Sequence, residues 1–316
     1  MIILKGEDEF FIKEGTAVTI GKFDGIHRGH KRLIKDVLGY AKKNGHKSCV
    51  VTFTFPEEEG GNTVEGETGR LLLTRDEKLR MIKELGVDIV AEFSFDDKLK
   101  GMNPYAFIES ILVGKLNMKS VSVGPDFRFG RDREGKVINL HKAAMIYGYN
   151  VSVIEKEEYN REKISSTRIR ECLAQGEFEK VSDMLGRDYG IAGTVSKGRQ
   201  LGHKIGVPTM NIYPSPEKLL PPYGTYACKA LKAGKEYKAV TNIGVRPTLT
   251  GKDNSGEVSI ETHILGYSEP ATGDYGKEIT VFPVKKIRDE KKFASLEELS
   301  ARIAEDIKEA EDMLVL

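Results

Sequence analysis

The stretch TAVTIGKFDGIHRGH, residues 16–30, decides the fold of the first half of this 316-residue chain. Its β-branched run at 17–20 is typical of a buried strand, and the apolar spacing of 29–43 predicts a helix directly after it. The turn between them therefore lies where a parallel sheet offers a ligand crevice, at the carboxyl end of a strand. Glycines let a ligand approach the backbone and a helix N-terminus presents unpaired N–H groups, so this turn favours a phosphate.

Two histidines stand at the start of that helix. His27 and His30 are three positions apart, so both side chains would project to one side and grip the same triphosphate. A single histidine is more often an ordinary surface or core residue. A pair that flanks Gly29 at a strand-to-helix junction favours phosphate binding instead.

Alternating strand and helix patterns continue to about residue 155 and predict an α/β fold, a parallel sheet covered by helices. Thr74 and Glu77 form a capping-box pattern at one helix start. Asn103-Pro104 marks another, for a helix to about Leu116. Further strands are predicted at 48–55, 88–93, 120–123 and 150–154.

After Gly186 the pattern changes to strands separated by turns, which predicts an antiparallel β domain. Ser295 and Glu298 form a second capping-box pattern, for a terminal helix to about Met313. We therefore place the first domain at residues 1–185 and the second at 186–316. The strands predicted in the second domain are 189–196, 209–213, 224–232, 237–243, 257–265 and 278–287.

The composition is that of a water-soluble chain of about two domains. Lys and Arg total 49 against 48 acidic residues, and a net charge of +1 offers no basic surplus for nucleic acid. Cys49, Cys172 and Cys228 show no CxxC spacing, which favours a reducing compartment over a disulfide framework or a zinc site. No stretch approaches the roughly 18 apolar residues of a membrane span. We expect a cytoplasmic protein without nucleic-acid or membrane partners.

The segment ISSTRIR, residues 164–170, combines three hydroxyl groups with two guanidinium groups at a predicted helix start. Arginine forks suit phosphate oxygens. On its own, such a segment is more often a Ser/Thr helix cap followed by surface arginines, and both interpretations stay open.

The second domain carries signals that are weaker when taken singly. Residues 193–211 hold glycines and basic residues, typical of a cationic flap or of an ordinary solvated turn. Thr209 and Asn211 offer hard oxygen ligands one strand period apart, so both side chains face the same way. Glu261 lies in a Val/Ile-rich strand, as a functional carboxylate or simply as an outward polar residue.

Together, HRGH and ISSTRIR resemble the two signature motifs, HxGH and ISSTxxR, of the nucleotidylyltransferase superfamily. With the loop 124–130 they resemble the N-terminal half of the prokaryotic bifunctional riboflavin kinase and FAD synthetase family, over most of residues 16–175. The resemblance implies a Rossmann-like domain in which the terminal phosphate of FMN attacks the α-phosphorus of ATP, making FAD and pyrophosphate. It implies His27 and His30 as catalytic residues, Asp126 at the flavin, and nucleotide contacts at Gly21, Phe23, Asp24, Gly29, Ser165, Ser166, Thr167 and Arg170.

Nearly all of residues 187–312 resemble the riboflavin kinase half of that family, through PTMN at 208–211, NIGVRPT at 242–248 and the strand of Glu261. The resemblance implies an antiparallel β-barrel with a C-terminal helix, in which ATP phosphorylates riboflavin. Mg²⁺ is the implied cofactor, with Thr209 and Asn211 as its ligands and Glu261 as the catalytic base. Further implied contacts are Gly193 and Gly202 to the nucleotide, and Arg288 and Phe293 to the flavin.

One segment departs from the family pattern. After the second strand the family usually carries a Pro-His-Pro type segment, whereas residues 54–59 read TFPEEE. This leaves the alternative of a riboflavin kinase with a weak or lost adenylyltransferase activity. A flavin-binding or nucleotide-sensing regulator is a rival of another class, but a sensor has no need for a base at Glu261. The kinase motifs also disfavour a single-activity transferase with another phosphate acceptor.

Overall fold

A computed structural model describes residues 1–55, 70–197, 206–245, 258–267, 271–291 and 293–314. The chain forms two compact units, Met1–Ser166 and Thr167–Leu316. Each unit is built around its own sheet.

The first unit is Rossmann-like and contains a six-stranded parallel sheet. Its strands are β1 (Ile2–Lys5), β2 (Thr16–Ile20), β3 (Lys47–Thr54), β4 (Ile89–Ser94), β5 (Met118–Val123) and β8 (Asn150–Val153). Their order in the sheet is β1-β4-β3-β2-β5-β8. Its helices are α1 (Arg28–Asn44), α2 (Arg75–Glu84), α3 (Asp97–Lys100), α4 (Pro104–Ala106), a π-helix (Phe107–Lys115) and α5 (Val137–Tyr147). Two small hairpins pair β6 (Arg128–Phe129) with β7 (Gly135–Lys136), and β9 (Glu158–Tyr159) with β10 (Glu162–Lys163).

Helices cover both faces of this sheet, which is why β2 is buried at all five positions. Val18 and Val51 face a core that includes Ile108 of the π-helix. Val50 faces the opposite core, where Ile34 of α1 and Ile82 of α2 pack. The predicted parallel α/β fold is confirmed.

Local signals set three helix ends, and those at Thr74 and Asn103 are as predicted. Gly45 adopts a left-handed conformation (φ 67°) and ends α1. The capping box of Thr74 and Glu77 is formed at α2. The side chain of Asn103 accepts a hydrogen bond from the Tyr105 N–H at 2.9 Å and starts α4.

Several features of the first unit differ from the sequence prediction, including the two small hairpins and α3, which were not predicted. The helix expected from 104 to about 116 becomes a π-helix after Ala106, and the Leu116 N–H donates to the Ile111 carbonyl five residues back, at 3.0 Å. The edge strand β1 was not predicted, because its four residues, followed by charged ones, are too few to show the apolar pattern of a strand.

The second unit is a closed antiparallel barrel, as predicted for this half. The strands are β11 (Ile191–Ser196), β12 (Met210–Ile212), β13 (Gly224–Lys232), β14 (Lys235–Val245), β15 (Val258–Ile264) and β16 (Glu278–Arg288). Their order around the barrel is β11-β12-β15-β14-β13-β16. The helices are α6 (Ser166–Ala174), α7 (Phe178–Leu185) and α8 (Leu296–Met313).

Helix α8 packs against β13, β14 and β16, where its Ala310 meets Ala227 and Val240. The Ser295 hydroxyl accepts the Glu298 N–H at 3.2 Å, so half of the predicted capping box is confirmed. The other half is wrong, because the Glu298 carboxylate accepts the N–H of Ala294. Within the described ranges, every helix is too short or too polar to cross a membrane.

The packing of α7 bears on the domain boundary predicted at 185/186. Phe178 of α7 is buried and meets the Tyr226 ring edge-on, with centroids 5.7 Å apart. Helices α6 and α7 therefore pack in the same unit as the barrel. The boundary of the second domain stays a prediction.

We expect a fragment of residues 167–316 to fold alone and to be more stable than a fragment of residues 186–316. The shorter fragment lacks Phe178 and exposes part of Tyr226, and losing a buried phenylalanine costs about 3–5 kcal/mol. Urea unfolding of both fragments, with Phe178→Ala in the longer one as the intermediate case, measures the difference. Equal urea midpoints for the two fragments would show that α7 is not part of the folding unit.

Candidate active sites

The turn between β2 and α1 is held in a strained backbone conformation by burial. Phe23 (φ 52°) and Ile26 (φ 39°) both adopt positive φ, which costs non-glycine residues about 1–3 kcal/mol each. Both side chains are fully buried in the core beside Ile34, and burial of a large apolar side chain contributes about 1.5–3 kcal/mol. The two effects are of similar size, so the core fixes the turn in one geometry.

His27 and His30 lie side by side at the end of this turn. Their rings stack with centroids 3.6 Å apart and planes 15° from parallel, which confirms that both project to one side. His27 is the N-cap of α1, and its Nδ1 accepts the His30 N–H at 3.3 Å. When neutral, His27 therefore carries its ring proton on Nε2. A Cβ at Gly29 would lie 3.2 Å from His27 Cε1, so a glycine leaves room for this ring.

Burial, and then the charge of His27, hold the pKa of His30 well below its ordinary value. His30 is therefore neutral near pH 7. Its Nδ1 is buried and has no hydrogen-bond partner among the described residues. An unsatisfied buried polar atom costs about 1–3 kcal/mol, a cost that a bound ligand would remove.

The ISSTRIR segment reaches this turn through one of its serines. The Ser166 hydroxyl donates to the Asp24 carbonyl at 2.8 Å. Ser165 and Ser166 close the first unit, whereas Thr167 and Arg170 belong to the second unit, in the first turns of α6. Gly21 lies directly after β2, and a Cβ there would meet the Phe23 ring at 3.4 Å.

Polar contacts from α2 support the same turn and were missed by sequence reasoning. Lys78 donates to the Thr52 hydroxyl at 3.1 Å, and that hydroxyl donates to the Lys22 carbonyl at 3.2 Å. Asp24 Oδ1 accepts the Leu73 N–H at 3.2 Å. Burial lowers the pKa of Lys78, and the charges of nearby carboxylates, Asp24 included, oppose this. These partners lie far apart in sequence, so no local pattern signals them.

Asp126, predicted at the flavin, lies on an exposed loop after β5 and is ion-paired with Lys156. Partial burial would raise the pKa of this carboxyl, but the hydrogen bond and charge of Lys156 lower it below its ordinary value. Partly buried phenylalanines, also missed, gather at the same ends of the strands and pack on the core of the π-helix face. They are Phe53, Phe95 and Phe127. The ring centroids of Phe55 and Phe95 are 5.3 Å apart, and those of Phe127 and Phe129 are 5.4 Å apart.

In the barrel, strand pairing brings the predicted kinase residues into one lateral row. Asn211 of β12 pairs with Glu261 of β15, and Glu261 pairs with Asn242 of β14. Asn242 pairs with Thr225 of β13, and Thr225 pairs with Arg288 of β16. The Thr225 hydroxyl lies 3.4 Å from Asn242 Oδ1. Directly opposite residues share a face, with Cβ atoms about 4.5–5.5 Å apart.

The rows on either side of this one point into the barrel. Ile212, Ile260 and Ile243 form one fully buried row. Thr262 and Thr241, whose hydroxyls are 3.1 Å apart, belong to the other. Because strands alternate, the row of Asn211 and Glu261 faces outward. Glu261 is half-buried there.

The structure describes Thr209 and Gly193, but not Gly202, among the remaining predicted kinase residues. Thr209 lies two positions before Asn211, and the preceding Pro208 carbonyl is 2.8 Å from His263 Nδ1. A Cβ at Gly193 would lie 3.1 Å from Ile212 Cβ, so the glycine there has a packing reason as well. Gly202 lies outside the described residues.

Arg288 and Phe293 contact each other, with the guanidinium carbon 5.4 Å from the ring centroid. Arg288 also binds the buried carboxylate of Asp306 on α8 through Nε and Nη2. The fork of Arg288 therefore faces the protein, which sequence reasoning did not foresee.

Comparison with known proteins assigns a family to each half of this arrangement. The FAD synthetase family model matches residues 11–168, and the riboflavin kinase model matches residues 185–314. A bifunctional riboflavin kinase/FMN adenylyltransferase of Escherichia coli (strain K12) is 38% identical over 295 residues, which cover 93% of this chain and 91% of that protein.

The chain belongs to the bifunctional riboflavin kinase/FMN adenylyltransferase family. A relative from Pseudomonas fluorescens with the same description is 35% identical over 294 residues, which cover 93% of this chain and 91% of that protein. A crystal structure described as a macrolide-efflux protein from Streptococcus pneumoniae matches with a TM-score of 0.83 at 24% identity, covering 98% of this chain and 99% of that chain. This last likeness shows the fold alone.

Both halves of the family are present in one chain, which supports a bifunctional flavin-cofactor enzyme over the kinase-only alternative. Riboflavin, FMN and ATP are the substrates of this family. The segment that departs from the family pattern is described only as far as Phe55, since 56–69 lie outside the described residues.

The lowered pKa of His30 makes the stability of the first unit depend on pH. Below an unfolded pKa of about 6.5 the unfolded chain binds a proton that the folded chain does not, so stability falls as the pH drops below that value. We expect His30→Asn to flatten this dependence between about pH 7.5 and 5.5. Urea unfolding of the parent and the variant, followed by circular dichroism at both pH values, tests this. An identical pH slope in both proteins would refute it.

Proposed function

We propose that the barrel row of Asn211 and Glu261 phosphorylates riboflavin, and that the turn of His27 and His30 adenylylates the resulting FMN. The observation that supports this is that each unit assembles, within itself, a set of residues suited to one of the two reactions. The two reactions then run in series from riboflavin to FAD.

In the kinase step, the terminal ribityl hydroxyl of riboflavin attacks the γ-phosphorus of ATP. The hydroxyl proton passes to the Glu261 carboxylate, the new O–P bond forms, and ADP leaves. Because phosphoryl transfer needs mainly alignment and charge stabilisation, the protein's task is to hold the hydroxyl in line with the γ-phosphate. An outward, half-buried carboxylate is reachable by a substrate lying on the barrel wall.

Thr209 and Asn211 fit the chemistry of a Mg²⁺ site. Their hydroxyl and amide oxygens are hard neutral ligands beside the Glu261 strand, and Mg²⁺ commonly takes few protein ligands together with substrate phosphates. When bound, Mg²⁺ neutralises charge on the phosphates. The same two residues would hold the nucleotide's phosphates close to Glu261.

In the adenylyltransferase step, a phosphate oxygen of FMN attacks the α-phosphorus of ATP and pyrophosphate leaves. The substrate supplies the nucleophile, so no covalent bond to the protein is needed. His27 and His30 donate hydrogen bonds to the phosphates from the start of α1, where backbone N–H groups add positive potential. Ser166, whose hydroxyl donates to the Asp24 carbonyl, lies beside the same turn.

The flavin of FMN is a flat, largely apolar ring system, and the phenylalanines at the strand ends suit it. Phe53, Phe95 and Phe127 are only partly buried in a unit whose other aromatic residues include fully buried ones such as Phe23. Flat aromatic ligands gain from offset stacking on such rings. Asp126 and Lys156 would then lie at the polar rim of this surface.

The proposal includes a cytoplasmic location and no nucleic-acid or membrane partner. The three cysteines are buried as free thiols, and burial raises the pKa of Cys49 and Cys228 to about 12. Such thiols are unreactive and compatible with a reducing compartment.

Reciprocal variants separate the two sites. Glu261→Gln keeps the size of the side chain but removes the base, so FMN formation from riboflavin should fall at least about 100-fold while FAD formation from added FMN persists. His27→Ala or His30→Ala should lower FAD formation about 100-fold and leave riboflavin phosphorylation intact. Chromatographic separation of riboflavin, FMN and FAD measures both rates in one sample.

Asn211→Ala is the control for the kinase site, because it removes a proposed metal ligand and leaves the base. It should raise the Mg²⁺ and ATP requirements of the kinase step without affecting the adenylyltransferase. If Glu261→Gln phosphorylates riboflavin at the parental rate, Glu261 is not the base but an ordinary polar strand residue. Parental FAD formation in the double histidine variant would remove the second assignment.

A further inference from the structure

Arg288 is held by three separate sets of hydrogen bonds. Its Nε lies 3.1 and 3.0 Å from the two carboxylate oxygens of Asp306, and its Nη2 lies 2.8 Å from Oδ2. Its Nη1 donates to the Asp289 carbonyl at 3.1 Å. A bidentate pair of this kind fixes the plane of the guanidinium as well as its position.

The carboxylate that holds Arg288 is itself fixed. Asp306 is only 1% exposed. Its Oδ1 also forms an ion pair with Nη2 of Arg302, one turn earlier on α8, at 2.8 Å. Arg302 also pairs with Glu305 and Glu309 on the outer side of the helix. A buried arrangement of this kind adds little net stability compared with apolar packing, but it specifies a geometry.

This arrangement lies at the end of the kinase row. Arg288 pairs with Thr225, the row member next to Asn242. Helix α8 packs on Ala227 and Val240, which stand two positions from Thr225 and Asn242 and so share their face of the barrel wall. The helix therefore flanks the row on the outer face.

The segment after Arg288 crosses the row's strands where glycines make room. A Cβ at Gly244 of β14 would overlap the Glu290 carboxylate, and a Cβ at Gly224 of β13 would overlap the Arg288 carbonyl. Gly244 is two positions from Asn242, whose neighbour across the strands is Glu261. The segment is thus placed against the strands that carry the proposed base.

The ring of Phe293, beyond this segment, lies close to two cationic side chains. The Arg288 guanidinium carbon lies 5.4 Å from its ring centroid and the Lys291 Nζ lies 5.6 Å away. A cation over an aromatic ring at this distance restricts the ring by a modest attraction. The position of Phe293 therefore depends on how Arg288 is held.

We propose that Asp306 is a positioning residue of the kinase site: by fixing Arg288, it sets the path of residues 288–291 and the place of Phe293 against the isoalloxazine ring of riboflavin. The inference rests on the proposed kinase site and adds a residue that touches no substrate. It also gives α8 a function in flavin recognition beyond covering the barrel.

The direct test is Asp306→Asn in the full chain, with Glu309→Gln as the matched control. Glu309 belongs to the same helix and pairs with Arg302, but it does not contact Arg288. We expect Asp306→Asn to raise the KM for riboflavin about tenfold or more, with smaller changes in kcat and in the KM for ATP, because a loosened binding surface weakens ground-state binding. Glu309→Gln should retain the parental KM.

Circular dichroism and a urea unfolding curve of each full-length variant establish that the barrel is folded, because FAD formation from added FMN reports on the first unit alone. If Asp306→Asn does not fold, Arg288→Lys keeps the ion pair but loses the planar fork, and it should raise the KM for riboflavin in the same way. An unchanged KM in the folded variant, or an equal rise in Glu309→Gln, would overturn the proposal.

A double-mutant cycle with Phe293→Ala separates positioning from general destabilisation. If Asp306 acts through Phe293, Asp306→Asn adds little to the KM for riboflavin once Phe293 is removed. Effects that multiply would overturn the proposal. Glu261→Gln in the same assay keeps the two hypotheses apart, since it tests the base through kcat whereas Asp306 is tested through the KM for riboflavin.

Discussion

The cross-strand register of the barrel is the constraint on which the kinase half depends. Asn211, Glu261 and Asn242 meet on one face only because β12, β15 and β14 pair at these positions. A shift of one residue would turn each side chain to the other face of the wall. The inward rows prevent such a shift, since they place isoleucines and the hydrogen-bonded pair Thr241 and Thr262 inside the barrel. The core thus specifies the site without contributing a chemical group to it.

The first unit reaches a comparable result by a different route. Its site lies in a strained turn rather than on a regular strand, and burial of Phe23 and Ile26 keeps the backbone in that conformation. The turn places His27 as the cap of α1, so the ring that makes a structural hydrogen bond is also the one proposed to bind phosphate. Lys78 and Thr52 support the turn from the side of α2. Both units therefore hold polar groups in place with apolar packing behind them.

The sequence was most informative where a pattern is local. The strand at 224–232 has the same bounds in the structure as in the prediction, because prolines precede it and the Ala233-Gly234 turn follows it. The capping box at Thr74 and Glu77 spans only four residues, so the sequence pattern was enough to predict it. The family resemblance named the histidines, Asn211 and Glu261, and the structure brings them together in two sets.

Interactions between distant residues could not be predicted in this way. The contact of Lys78 with Thr52 spans 26 residues, and that of Arg288 with Asp306 spans 18, without any spacing rule to connect them. The π-helix depends on how its buried residues meet the sheet core, not on their order alone. Resemblance suggested Arg288 as a flavin contact, whereas its surroundings direct its fork toward α8.

We propose that two self-contained sites act in series on one flavin. Mixing the Glu261→Gln chain with the His27→Ala/His30→Ala chain tests it most directly, with riboflavin, ATP and Mg²⁺ supplied and FAD separated chromatographically. Each variant alone should make little FAD from riboflavin, and the mixture should make it readily, because FMN from one chain serves the intact site of the other. A mixture that makes no more FAD than the sum of the separate variants would contradict the claim.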